Sequence, residues 1–259
     1  MKYSIKTLLI VLGLFLVAQY VGLYVNSIYF ANSLPYGLTP PQVEAEASPW
    51  FFVSTLIIVT TIFLLLRKFN LKLLMKFWFI TAFVMTISIT LSAVIESWIA
   101  FIVAIALVIL RIKEHDLVIH NLTEILVYGG VVAIFAPILN IWSAIILLGL
   151  ISIYDFIAVN ITKHMVGLAK MQGDLGIFSG LVVQNKNESA ILGGGDIAFT
   201  LLFATVALRE FGFISAMFVI YGATLGILAL MLLGKKKKFY PAMPFVTIGS
   251  LLGFLITII

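Results

Sequence analysis

The sequence predicts an all-α polytopic membrane protein of nine transmembrane helices, and three observations carry that prediction. First, 63% of the 259 residues are hydrophobic and 10% charged, against about 45–50% and about 25% in a soluble domain. That apolar surplus is more than a soluble core can hide, so it must face lipid. Second, long apolar runs recur along the whole chain, each broken by charge, proline or glycine. Third, the basic residues between the runs sort onto alternate sides of a nine-span chain, as charge bias requires of membrane proteins. At roughly 20 residues per span, nine spans leave only connections over, so 1–259 reads as a single transmembrane domain.

Each element has its own signal. After Lys6 an apolar run reaches Phe30, too long and too poor in small residues at its end for a cleaved signal peptide, and reads as a retained first span over 6–30. Pro35, Pro40, Pro41, Glu44 and Glu46 mark the first loop. The second span, 49–66, stops at Arg67, Lys68, Lys72 and Lys76; the third covers 77–95 and, after Glu96 and Ser97, the fourth covers 98–110. The charged knot Arg111–Asp116 precedes spans over 117–137 and 139–159. A long connection, 160–189, reads as cytoplasmic. The seventh span, 191–208, opens in a glycine run and ends at Arg209; the eighth covers 211–233, Lys235–Lys238 follow, and the ninth covers 240–259.

With nine spans, 15 of the 16 basic residues fall on one face and only Arg209 on the other. The positive-inside rule then puts the N-terminus in the cytoplasm and the C-terminus outside, in a multi-pass cell-membrane protein. Scattered between apolar runs, these residues form no polar stripe for nucleic acid. Lys235–Lys238 read as a stop signal against anionic lipid. The chain has no cysteine, which excludes disulfides, thiolate metal sites and a cysteine nucleophile.

Ionisable groups inside spans cost at least ~2.5 kcal/mol and mark function by default. Four occur here: His120, Glu124, Asp155 and Asp196. Asp155 lies eight residues before Lys163 in a span running inward, and Asp196 ten residues after Lys186 in the next span running outward. Both carboxyls therefore sit toward the cytoplasmic end of adjacent spans, at one depth. Two carboxyls brought close in a low dielectric share a proton. One then serves as base to a water and the other as acid to a carbonyl oxygen, which is how peptide bonds are hydrolysed without a covalent intermediate. A helix-pairing hydrogen bond or an ion pathway would use the same residues. Gly193, Gly194 and Gly195 loosen the chain before Asp196 and let water or backbone approach it, though close helix packing also uses such glycines.

Tyr154-Asp155, Gly193-Gly194-Gly195-Asp196 and Pro241-Ala242-Met243 resemble the YD, GxGD and PAL signatures of the presenilin and signal peptide peptidase family of intramembrane aspartyl proteases. The resemblance extends along the chain by span count and motif order. It implies a presenilin-like fold, Asp155 and Asp196 as the catalytic pair, Tyr154 flanking it, and a Pro241 turn that packs near the site and helps place substrate. Met243 departs from the family's usual leucine, a swap close in volume. The inside N-terminus resembles presenilin and opposes signal peptide peptidase, implying substrates whose spans have their N-terminus outside.

The segments 177–183 and 189–192 flank a polar stretch, 184–188, and read as a β-hairpin at the membrane face onto which an unwound substrate could add a strand. His120 and Glu124, at i and i+4, share a helix face and read as a hydrogen-bonded pair rather than part of a metal site, because His115 and His164 fall in connections. No HExxH zinc motif is present, and His120 is the only histidine within a span to serve as base to a serine.

The sequence thus reads as an intramembrane aspartyl endopeptidase acting on transmembrane helical segments, with no metal, no cofactor and no evident accessory subunit. The rivals are a proton- or cation-coupled transporter built on the same aspartates, a prepilin-type GxGD peptidase, and a scaffold in which the aspartates merely pair two helices. No second copy of the Tyr154 or Gly193 segments supports a repeat-built transporter. The nine-span plan and Pro241 argue against the prepilin type.

Overall fold

The computed structural model describes residues 3–114, 116–162, 167, 172–173, 176–185, 188–234 and 240–259. The readings attached to Lys2, His115, Lys163, His164, Lys170, Lys186 and Lys235–Lys238 lie outside these residues. Among the described residues run nine helices of 14 residues or more, with one β-hairpin. They are α1 (Ile5–Tyr29), α2 (Ser48–Lys68), α3 (Lys72–Ser92), α4 (Ser97–Glu114), α5 (Leu117–Phe135) and α6 (Ile141–Phe156), followed by β1 (Gly180–Asn185), β2 (Glu188–Gly193), α7 (Gly194–Phe211), α8 (Phe213–Leu233) and α9 (Met243–Ile256). A π-helical turn, Ile157–Ile161, continues α6.

Capping explains several starts. Ser4, Asp116 and Asn140 each accept a backbone N–H from the first turn of α1, α5 and α6, supplying acceptors that a helix start lacks. Among the described residues six helices are long and apolar enough to cross a membrane: α1, α2, α3, α5, α6 with its π turn, and α8. The other three stand where spans are expected but differ in character. Arg111, Lys113 and Glu114 end α4, and Asp196, Arg209 and Glu210 lie within the 18 residues of α7. The 14 residues of α9 extend about 21 Å against a hydrocarbon core of about 30 Å.

Boundaries shift for physical reasons. Helix α3 starts at Lys72, not 77, because lysines favour helix and reach water along their stems. Helix α4 runs on to Glu114, not 110, which moves Arg111 from the expected connection into a buried helical position. Residues 191–193 close β2, in line with the hairpin reading of 189–192, and the helix expected from 191 opens at Gly194 instead. The ninth helix starts at Met243 rather than 240, since Pro241 and Pro244 bracket its first turn.

Large apolar side chains cover the outside, including Trp98 and Ile102 on α4, Trp142 and Ile146 on α6, and Leu225 on α8, while Phe15, Leu147, Ile197, Leu201 and Ile220 are fully buried. Helices α8 and α9 meet backbone to backbone: a Cβ at Gly222 would lie 2.1 Å from the Gly249 carbonyl oxygen, and one at Gly249 2.1 Å from that of Gly222. This small-residue seam is how helices approach closely in lipid. Arg209, near the end of α7, donates to the carbonyls of Ala136 (3.0 Å) and Leu139, and Glu210 accepts the Ile141 N–H at 3.1 Å. Those bonds fasten the α5–α6 turn to α7.

Candidate active site

Asp155 lies near the end of α6, one residue ahead of the π turn's first flank, and is 8% exposed. Its Oδ2 accepts the backbone N–H of Met243 at 3.2 Å. The first N–H groups of a helix have no acceptor inside the helix, so the start of α9 carries a free donor, and the fold aims it at this carboxyl. Pro241, Ala242 and Met243 are all buried here.

Asp196 stands in the first turn of α7, where the helix dipole favours an acidic side chain. It is partly exposed, and its carboxyl lies near enough to that of Asp155 for the two to repel when both are charged. The glycines before it are not equivalent. A Cβ at Gly193 would come 3.0 Å from Asp196 Oδ2, and one at Gly194 would meet Ser179 Oγ at 2.8 Å and the Tyr128 hydroxyl at 3.2 Å. At Gly195 nothing comes nearer than 3.9 Å. None of the three has positive φ, so close approach rather than backbone freedom explains the first two. Gln19 of α1, fully buried, donates to the Ile197 carbonyl at 3.0 Å and holds this turn from behind.

The structure thus gathers Asp155, Asp196, Gly193 and Met243 at the meeting of α6, α7 and α9. Tyr154 works alongside: its hydroxyl shares a hydrogen bond of 3.2 Å with Thr60 of α2 and braces α6 from the other side.

The hairpin leads straight into this site, because β2 ends at Gly193 and α7 begins at the next residue. Its strands pair antiparallel with Val182 opposite Ile191 and Gln184 opposite Ser189. The far end of the hairpin is tied to the start of α1. Glu188 accepts the Ser4 N–H at 2.8 Å and the Thr7 hydroxyl at 3.1 Å, and Asn185 donates to both hydroxyl oxygens at 3.3 Å.

A buried polar network that sequence reasoning missed joins the near end to α4 and α5. Arg111 forms a 2.6 Å ion pair with Glu124, their side chains 4% and 0% exposed, and donates to Thr123 Oγ1 and the Phe178 carbonyl, also at 2.6 Å each. Its guanidinium lies 4.4 Å from the Phe83 ring centroid. Glu124 accepts further from Tyr128 at 2.5 Å and Ser179 at 3.1 Å. The expected His120–Glu124 pair is therefore replaced: Glu124 turns to Arg111, and His120 Nε2 donates to the Gly180 carbonyl at 2.8 Å. The depth matching that pairs Asp155 with Asp196 would also have found Arg111 and Glu124, near the facing ends of consecutive helices.

The site thus sets aspartates on two packed membrane helices, with a third, proline-led helix donating to one of them, an arrangement of the aspartyl type. The profile of the signal-peptide peptidase, presenilin aspartyl protease family matches residues 12–195, and the chain belongs to that family. Two solved structures share its fold, both of a presenilin family intramembrane aspartate protease. The one in space group C222 superposes with a TM-score of 0.72 at 21% identity, covering 97% of this chain and 98% of the other. The one in space group P2 gives 0.70 at 21% identity, covering 98% and 96%. No curated protein sequence matches the chain.

Proposed function

We propose that this chain is an intramembrane aspartyl protease that hydrolyses peptide bonds within transmembrane segments, with Asp155 and Asp196 as its catalytic residues. The observation that carries the proposal is the convergence of the two carboxyls with the Met243 N–H at the point where β2 delivers the chain into α7. One carboxylate takes a proton from a water held between the pair, the water oxygen bonds to the scissile carbonyl carbon, and the other carboxyl protonates the carbonyl oxygen. A proton then passes to the amide nitrogen, the C–N bond breaks, and a new carboxyl and amine result. Tyr154, Gly193, Gly194, Gly195, Pro241, Ala242 and Met243 support the pair and place substrate.

The hairpin suits this chemistry. A helical segment hides its carbonyls, so a substrate must unwind before attack, and an extended segment can pair with a strand edge. The family membership favours this reading over a transporter or a prepilin-type peptidase. We extend it to a single nine-span domain with the N-terminus cytoplasmic, the C-terminus outside, and substrates whose N-termini lie outside.

The test is reconstitution of the purified chain in liposomes with a synthetic transmembrane peptide. Cleavage that vanishes in Asp155→Asn and in Asp196→Asn, while both variants insert and melt as the unsubstituted chain does, supports the proposal. Ion uptake without peptide products would overturn it.

A further inference from the structure

Three alternate carbonyls along one side of the hairpin stem are each taken by a side chain from α4 or α5. Arg111 donates to that of Phe178, His120 Nε2 to that of Gly180, and the Asn121 amide to that of Val182 at 2.8 Å. Asn121 also accepts the Val182 N–H through Oδ1 at 2.9 Å. A side-chain amide that donates to a residue's C=O and accepts its N–H makes the two bonds a neighbouring strand would make. Val182 therefore points both backbone groups away from β2 and toward α5. By the antiparallel register, its partner Ile191 points the opposite way, as do Ser189 and Gly193 two residues on either side.

We propose that His120 and Asn121 are positioning residues that stand in for a strand on the outer edge of β1, so that an added substrate strand can join only at β2. This inference rests on the protease reading above and deepens it. Polar groups enclosed in a membrane helix bundle are costly unless they are hydrogen-bonded. Asn121 is 9% exposed, and its amide and the His120 Nε2 are spent on the hairpin edge. Two consequences follow. The closed edge leaves one place for an extended segment, and that edge runs from Ser189 to Ile191, ending just before Gly193, whose N–H is taken by the Asp196 carboxyl. The same bonds fix the hairpin along its length, which sets which substrate peptide bond reaches the aspartates.

The experiment compares cut positions and kinetic constants on a synthetic transmembrane peptide, read by mass spectrometry. Asn121→Asp keeps the acceptor for the Val182 N–H but sets a carboxylate oxygen against the Val182 carbonyl. His120→Leu removes the donor to Gly180, and His120→Gln keeps one. The first two are expected to spread cuts over neighbouring bonds and raise KM several-fold with little change in kcat, while His120→Gln restores the original pattern. Unchanged cut positions and KM in Asn121→Asp and His120→Leu, even with lowered thermal stability, would overturn the proposal. A second arm needs no cleavage, and the cysteine-free chain makes it clean. With a cysteine-bearing peptide, Ser189→Cys is expected to cross-link and its cross-strand neighbour Gln184→Cys is not, since an added strand lies about 4.8 Å from one and about twice that from the other. Cross-linking at 184 instead would overturn the inference. Failure of the unsubstituted chain to cleave would count against the protease reading alone.

Discussion

The N–H of Met243 faces the carboxyl of Asp155, with 3.2 Å between nitrogen and Oδ2. Because the backbone makes this contact, the buried side chain at 243 can be exchanged for one of similar volume while the amide cannot be lost. Met243→Leu is expected to cleave like the unsubstituted chain. Met243→Pro deletes the donor, and a hydrogen bond to a charged group contributes about 1.5–3 kcal/mol. The expected loss is on the order of tenfold to a hundredfold in the single-turnover cleavage rate. Equal rates for the two variants would show that this amide does not act on Asp155.

Gly194 and Gly195 divide the motif before Asp196. An alanine at 194 meets Ser179 and Tyr128, whereas one at 195 meets only the Phe199 ring at 3.9 Å. Gly194→Ala is expected to cost about 1–3 kcal/mol through overpacking and to displace Asp196, lowering cleavage sharply. Gly195→Ala is expected to melt no lower than the parent, because alanine favours helix by about 1 kcal/mol over glycine. Thermal melting in detergent alongside a cleavage assay separates them.

The Arg111–Glu124 pair is fully enclosed, so removing one partner strands the other. Arg111→Met or Glu124→Gln alone is expected to destabilise by about 3–5 kcal/mol. The double variant is expected to lose less than the two single losses combined, and a double-mutant cycle by denaturation measures the coupling. Additive losses would contradict a direct interaction.

The seam between α8 and α9 admits no side chain. Gly249→Val is expected to force the backbones apart and lower both the melting temperature and cleavage, since α9 carries the donor to Asp155. Leu252→Val, on a residue 58% exposed, is expected to leave both unchanged. The same melting and cleavage assays read both variants.

Hydropathy made the helices legible, because apolar runs between charges need no tertiary information. The motif residues Asp155 and Asp196 were legible from depth and from their neighbours. Arg111 was not: a base near a span's end reads equally well as a topological marker, and only its partner on the next helix shows otherwise. Glu124 was assigned to His120 because i,i+4 spacing sees one helix at a time. The hairpin announced itself in the polar stretch between two apolar runs, but residues 191–192 read both as its second arm and as the opening of a span, since a short apolar run has the same pattern in either state. The Met243 contact is invisible in any side-chain pattern, for it belongs to the main chain.

The tie between Ser4 and Glu188 spans 184 positions of sequence. During synthesis the first helix enters the bilayer long before its carboxylate partner exists, so the hairpin can reach its final seat only after α6 has been made and the following connection has folded back. Contacts this distant in sequence form late. The proposed site would then be completed only near the end of synthesis, with the earlier helices already in place.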